Sequence, residues 1–469
     1  MDIGSSALTA QRVALDVAGE NIANVNTPGY SRQTAVLQSQ IPVSVNGLPT
    51  GSGVQVATVQ RAYDSFLQNQ LVAANAVSGG TSTTNSAMQM IQPLFNDVSS
   101  SGTGGLSGPM QDFFSAWQDL ASNPQGVAER QAVLSQGQQL VDAFHTMSSG
   151  LTAVQGNMNQ NLQEITADAN NQLKQVAALN VQIQAAQAQG TQANELEDQR
   201  NYLVQQLSNN VGVTAKEESN GTMTVTLATG SGGTTLVSGN QAGAFSLQAN
   251  TSNNGFYDVL VAGPDGATSN VTSQLAGSSA PGSLGATLQM RDVTTNNYLS
   301  GLNELASTLV QQVNAAQSGG YGLTGSTGVN FFTPTTSAAD MSVAINSTDQ
   351  VAAASTDPTT GGTGNNINAQ SVAALANTAF SMTGGNMTLG GFYTSLMGQV
   401  GVGVQSATQN DDQATSTINQ LNNLWTSNSG VSLDEELTNL TSQQQAYQGA
   451  AKLITVGTQM LDTILGMIQ

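Results

Sequence analysis

The one histidine in the 469 residues, His145, is where any Ser/His or Cys/His catalysis would have to begin. It lies between Phe144 and Met147 in a helical apolar rhythm with no nucleophile placed beside it, so it reads as a partly exposed helical residue. The chain has no cysteine, which removes thiolate nucleophiles, disulfides and thiolate metal sites, and with a lone histidine zinc has no ligand set. The patterns HExxH, GxxxxGK[ST] and GxSxG do not occur. Gly320-Tyr321-Gly322-Leu323-Thr324-Gly325 fits GxGxxG, but it follows a helical pattern and no helix opens after it, so it reads as a turn-rich loop and not a dinucleotide site. Asp434-Glu435-Glu436 follows Ser432 at the start of a helical pattern, where carboxylates complement the helix dipole. Asp411-Asp412 reads as a solvated helix face. No catalytic constellation remains, and no enzyme activity, cofactor or metal is expected.

The residues that repeat carry more information than the residues that react. Leu433, Leu437, Leu440, Gln444, Tyr447, Ala451, Ile454, Thr458, Leu461, Leu465 and Ile468 alternate four and three apart up to the C-terminal end, a heptad stripe that requires a helical partner. At the other end Ile3, Ala7, Ala10, Ala14 and Val17 follow the same rhythm, with Leu8, Leu15 and Ile22 in a second row. The two ends are expected to pair. Gln444, Ala451 and Thr458 weaken the seam, so these rows are read as a subunit interface completed by neighbouring copies, with an intramolecular bundle as the alternative. The helices are expected to be disordered before assembly, because so small an apolar area does not offset the ordering entropy.

Only 8% of the residues are charged, against about 25% in ordinary soluble proteins. The 29 acids and 9 bases give a net charge of −20, and the bases are scattered singly, so neither nucleic acid nor an anionic membrane is an expected partner. The N-terminus lacks the basic and apolar regions of a Sec signal peptide, and no apolar run reaches membrane-spanning length. Export without a signal peptide or residence in the cytoplasm are the remaining expectations.

Between the ends the period changes several times. Thr27-Pro28-Gly29 closes the first helix. Residues 34 to 60 read as strands with a hairpin, and helical patterns occupy 61 to 78, 84 to 98 and 109 to 122. The last of these carries Phe113, Phe114 and Trp117 as core. A long periodic stretch from 125 to 189 would make a rod of roughly 100 Å if continuous, but Gly137, Gly150 and Gly156 argue for a bend or break. Another helix is expected at 194 to 208. Residues 211 to 282 read as a small separate β domain, with Asn220-Gly221 and Asn254-Gly255 as hairpin turns. Helix returns at 293 to 316, and again from 367 with a Gly-rich pause at 384 to 403. The expected class is α+β: an elongated multidomain molecule with a terminal-helix coiled coil (1–33 plus 430–469), a long helical stem with mixed β segments (34–210 plus 283–429) and an inserted β domain (211–282).

Asn21-Ile22-Ala23-Asn24-Val25-Asn26-Thr27-Pro28-Gly29-Tyr30 resembles the N-terminal signature of the bacterial flagellar rod, hook and hook-associated proteins, with Asn26 to Tyr30 forming its turn. Ser429-Gly430-Val431-Ser432-Leu433-Asp434-Glu435-Glu436, with Asn439-Leu440 and Gln444-Gln445-Ala446-Tyr447, resembles the closing motif of the same family. Tyr30-Ser31-Arg32-Gln33, the run DFFSAWQDLASNPQGVAERQAVLSQG from Asp112 to Gly137 and DQRNYLVQQLS from Asp198 to Ser208 resemble its hook-associated members. The resemblance implies an axial structural protein of the hook–filament junction, outside the cell, whose terminal helices line an inner tube as a homo-oligomeric ring or helix. It further implies the hook protein on one side, a second junction protein on the other, and an export chaperone that holds the C-terminal helices during type III export. Another axial protein, hook or distal rod, is the alternative, followed by a secreted adhesin that uses the β domain.

Overall fold

Proline and glycine end the first helix, α1 (Asp2–Ala23), since Pro28 cannot continue it and Gly29 sits at a φ of 81°. The chain returns along α1 as strand β1 (Gln33–Ser39), makes a small hairpin of β2 (Val43–Val45) and β3 (Leu48–Thr50), and comes back as β4 (Val54–Arg61), antiparallel to β1. The computed structural model describes residues 2–45, 48–97, 105–228, 233–277, 282–362 and 364–468.

Helix α2 (Ser65–Ile91) is capped by the Asp64 carboxylate, which accepts from the Phe66 and Leu67 amides. It is one helix where two patterns were expected, and Val98, at the end of the second, lies outside the described residues. A side chain at Gly79 would collide with the Asn209 carbonyl, so glycine here permits close helix packing and does not break the helix. Helices α3 (Ser107–Ser122) and α4 (Val127–Ala188) follow. The expected interruption of α4 by a break is absent: its 62 residues run as one helix, about 90 Å at the helical rise. A Cβ at Gly137 would stand 2.7 Å from the Phe331 ring, and one at Gly150 would stand 2.6 Å from Leu94, so both glycines admit neighbours.

After α5 (Asn194–Val211), a four-stranded sheet is built from β5 (Val213–Glu217), β6 (Met223–Leu227), β7 (Thr235–Ser238) and β8 (Gln241–Ala242). A three-stranded sheet follows from β9 (Ala244–Ala249), β10 (Tyr257–Ala262) and β11 (Thr268–Asn270). Asn254 (φ 51°) and Gly255 (φ 78°) take the left-handed conformations that their turn needs. The strands do not bury a core of their own. Val225, Leu236, Phe245 and Val259 pack with Leu173, Val176 and Ile183 from the second half of α4 and with Val204 and Leu207 from α5.

The chain re-enters the stem through α6 (Thr272–Ala276), α7 (Gly282–Leu288), a π-helical stretch at Gln289–Thr294 and α8 (Thr295–Gly319). A looped segment follows, tied by isolated bridges between Tyr321 and Ala354 and between Phe332 and Val343. Then come α9 (Pro358–Gly361), α10 (Ile367–Ala374), the hairpin of β12 (Phe380–Met382) and β13 (Gly385–Met387), α11 (Leu389–Ser429) and α12 (Leu433–Ile468). The expected Gly-rich pause ends at the hairpin: Gly390, Gly391, Gly398, Gly401 and Gly403 are helical, because α2 lies along α11 and its packing outweighs their low propensity. The core between α3, α4, α8 and α11 holds Phe113, Trp117, Phe144, Phe331 and Phe332, with ring centroids 4.7 to 6.4 Å apart among the four that touch.

Candidate assembly surface and its polar joint

His145, the Gly320–Gly325 segment and Asp411, first considered for chemistry, each make a structural contact. His145 Nε2 lies 2.8 Å from the Met341 carbonyl oxygen. The Gly320–Gly325 segment is a turn in which the Gly322 amide donates to the Ser326 carbonyl and Gly325 has a φ of 84°. Asp411 is less solvated than expected: Asn85 Nδ2 donates to it at 3.0 Å across the α2–α11 contact. Among the described residues, no group of three or more His, Asp or Glu side chains could hold a metal ion, and no helix is long and apolar enough to cross a membrane.

The terminal helices α1 and α12 lie against each other, and α1 also packs on β1 and β4. Small residues allow the approach: a Cβ at Gly4 would stand 2.8 Å from Ile454 and 3.7 Å from the Ala450 carbonyl oxygen. On α1, Ala10, Ala14 and Val17 are buried, Ala7, Leu8, Leu15 and Ile22 are half-buried, and Ile3 is exposed. On α12, the least exposed residues are Glu436, Leu440, Gln443, Ala450, Ala451, Ile454 and Gly457. The row that faces α1 is therefore shifted around the helix from the heptad stripe read in the sequence. It includes Leu440 and Ile454, while Gln444 and Thr458, expected inward, are exposed. Leu433, Leu437 and Tyr447 also face away from the pair, with Leu437 at 52% exposure, and Leu461 and Leu465 lie beyond the N-terminal end of α1, where α12 is exposed on every side. The side chain of Ile468 lies outside the described residues.

Below this pair the turn motif is clamped to the stem. Asn26, Thr27 and Pro28 are exposed, and Gly29 packs so closely on Tyr202 that a Cβ would stand 2.8 Å from it. Tyr30 is buried and its hydroxyl donates to Asn21 Oδ1 at 3.0 Å. Asn21 holds the strand entry as well, accepting from the Gln33 amide and donating to its carbonyl. The Ser31 amide and hydroxyl both donate to the Asp198 carboxylate, at 2.7 and 2.9 Å. Arg61 completes the carboxylate cluster, 2.6 Å from Asp198 and 3.0 Å from Glu197. Gln33 bridges Glu195 and Asn194. The C-terminal helices join at the same level: the Arg32 amide donates to the Ser429 carbonyl, and Arg32 pairs with Glu435 at 2.8 Å.

Burial is the largest influence on the charges here. It raises the Asp198 carboxyl above the usual carboxylate range, against the opposing pull of Arg61 and the Ser31 hydrogen bonds. Burial, with Glu20 and Glu195 nearby, likewise pushes the Tyr30 phenol up. Sequence reasoning quoted Tyr30–Gln33 and Asp198–Ser208 as separate motifs and missed that they touch. It also missed Arg61, Glu195, Glu197 and Asn21 as members of one cluster. A usable signal was present: in a chain with nine bases, an arginine next to an uncharged strand has a structural role to explain.

The arrangement is mechanical in character, an apolar two-helix unit fixed to a stem by a buried polar joint. Comparison with known proteins agrees. The family profile described as "Flagellar hook-associated protein FlgK helical domain" matches residues 88–332, "Flagella basal body rod protein" matches 1–30, and "Flagellar basal body rod FlgEFG protein C-terminal" matches 425–467. The chain is 28% identical to flagellar hook-associated protein 1 of Bacillus subtilis over 99% of this chain and 97% of that one. It is 29% identical to the Salmonella typhimurium protein of that name, over 98% of each. To the Escherichia coli protein it is 34% identical over 70% of this chain and 58% of that one. The fold is similar to that of the flagellar hook junction protein FlgK from Burkholderia pseudomallei, with a TM-score of 0.67 at 18% identity, over 76% of this chain and all of that one. The chain belongs to the family of flagellar hook-associated proteins described by the FlgK helical domain.

Proposed function

We propose that the chain is a structural subunit of the bacterial flagellum, placed at the hook–filament junction, and that its work is done by subunit interfaces and not by catalysis. The observation that carries this reading is the exposed apolar side chains of α12, Leu433 and Leu437 beside the joint and Leu461 and Leu465 beyond the N-terminal end of α1. Large apolar side chains left exposed along one helix mark an interaction surface. In this reading Ala14 and Val17 of α1 and Leu440 and Ile454 of α12 close the pair within one chain, while Ile3, Ala7, Leu8, Leu15 and Ile22 of α1 and Tyr447 and Ile468 of α12 are completed by neighbouring copies into a homo-oligomeric inner tube. The Asn26–Tyr30 turn is where the chain leaves that tube. The hook protein adjoins one side and a second junction protein the other. The subunit reaches the outside of the cell by type III export, with a chaperone on its C-terminal helices.

Arginine in place of Leu437 or Leu461 tests the reading, since a charge placed in a closing apolar seam costs several kcal/mol per contact. The variants should be exported and folded in the stem yet fail to support filaments, with flagellin released into the medium. Filaments of ordinary length on cells carrying either variant would overturn the proposal.

A further inference from the structure

The stem has two apolar cores strung along α4, and three helical segments run from one core to the other. Helix α4 crosses between Met158 and Leu162, α2 between Val72 and Ala87, and the returning chain between Leu288 and Met290. Each segment is weakest at its crossing. In α2 the residues from Ser78 to Ser86 are all glycine, serine, threonine or asparagine, which hold a helix poorly. In α4 Gly156 stands two residues before Met158 with open space around it. The returning chain crosses in the π-helical stretch Gln289–Thr294, where the Thr295 amide donates to the Met290 carbonyl five residues back.

That stretch is tied down on one face. The Arg291 carbonyl, which the wider turn releases from the Thr295 amide, accepts from Gln155 Nε2 at 2.8 Å. The fully buried Arg291 guanidinium donates twice to Asp292, at 2.7 and 2.8 Å, and once to Asn159 Oδ1, at 2.7 Å. Asn159 also accepts from the Tyr257 amide, and Asn253 donates to Asp292. Helix α4, the π-helical stretch and the turn before β10 therefore share one polar tie.

Gln289 does not share a face with Arg291. It opens on a gap of about 400 Å³ between α2, α6, α7 and α11, whose walls include the short side chains of Thr81, Thr84, Ala276, Ala286 and Ala407. A packed core does not deform continuously, so motion in a stem with two cores concentrates between them. Bending that widens or narrows the gap moves few packed atoms, whereas separating the stretch from α4 breaks buried charge-assisted hydrogen bonds.

We propose that the stem is hinged at this level: the two cores move as units about the Arg291 tie while the gap between α2, α6 and α11 opens and closes. Because α4 extends roughly 45 Å to either side of Gly156, a small bend there displaces both of its ends. The hinge is a property of the single chain and does not depend on the assembly in which the chain works.

Hydrogen exchange of the purified full-length chain, resolved by peptide mass spectrometry, tests this. Peptides covering 78–86 and 289–296 should exchange about tenfold or more faster than the core peptides 140–151 and 302–313. Ala276→Cys on α6 and Asn410→Cys on α11 then place the only two thiols of the chain on the walls of the gap, where a bifunctional thiol reagent fixes its width. Asn410 is exposed and Ala276 half-buried, so the unbridged double variant should match the parent in circular dichroism and in exchange. Bridging should slow 153–161 and 289–296 about tenfold relative to the core peptides, although neither segment carries the bridge. Gly156→Ala, which needs no reagent, should slow 289–296 severalfold. Equal protection of the crossing and the cores overturns the hinge, as does a bridge that slows only the peptides it joins, or a Gly156→Ala effect confined to 153–161. Thiols that no reagent bridges would show that the two walls do not face one gap, which overturns it as well.

Discussion

Four of the nine bases, Arg61, Arg130, Arg200 and Arg291, are buried, and each is held by several acceptors. Arg130 donates to the Pro124, Thr348 and Val351 carbonyls, Arg200 to Asn180, Gly221 and Glu217, and Arg291 to Asp292 and Asn159. A buried charge left without its partner destabilises strongly. Asp198→Ala would strip Arg61 of its shorter carboxylate contact and leave the Ser31 amide without an acceptor. It should lower stability by about 3 kcal/mol or more, read as a drop in the urea midpoint of the purified chain. The same residue sets a pH dependence. Its carboxyl is raised in the fold, so its contribution is fully present below the unfolded value near pH 4 and is lost as pH rises through the folded value. Relative to Asp198→Asn, the parent should therefore lose stability between pH 4 and neutrality. A gap that widens in the parent's favour over that range would contradict the assigned cause.

Single elements differ in how far the amino-acid pattern exposes them. The α3 helix is fully legible, since Phe113, Trp117 and Leu120 fall on one face and are buried there. The turn at Asn254-Gly255 is legible from its backbone demands alone. The helix interruptions expected at glycines are not found, because a glycine's effect depends on what lies beside it, and that neighbour is remote in sequence. Gly79 meets residue 209, and Gly137 meets residue 331. The same holds for the joint, where Ser31 and Asp198 are 167 residues apart. The two kinds of helical glycine should respond oppositely to substitution. Gly79→Ala forces α2 away from the Asn209 backbone and should destabilise by more than about 1 kcal/mol. Gly156 has open space around its missing side chain, and Gly156→Ala should stabilise by about 0.5–1 kcal/mol. Thermal melts of both variants check this, and equal shifts in the same direction would contradict the packing account.

At the scale of the whole molecule, the stem is secured by two shared cores, whereas α12 packs chiefly on α1, with one further ion pair from Glu435 to Arg32. A helix packed on one side, with Leu453, Met460, Ile464 and Leu465 exposed, opens at low free-energy cost, because few buried contacts oppose the ordering entropy. The distribution of cleavable bases makes this measurable with trypsin. Arg12 on α1 and Lys452 on α12 are exposed, while Arg61, Arg130, Arg200 and Arg291 are buried. Lys174 and Lys216 are exposed but lie within α4 and β5, where the second core holds the backbone. Brief digestion of the free protein should therefore cut first after Arg12 and Lys452 and leave the stem intact. In isolated flagella both cuts should be suppressed, since neighbouring copies would supply the second side of the seam. Equal protection of both sites in the free protein would mean that α1 and α12 form a self-sufficient pair. The exposed leucines of α12 would then need an explanation other than assembly.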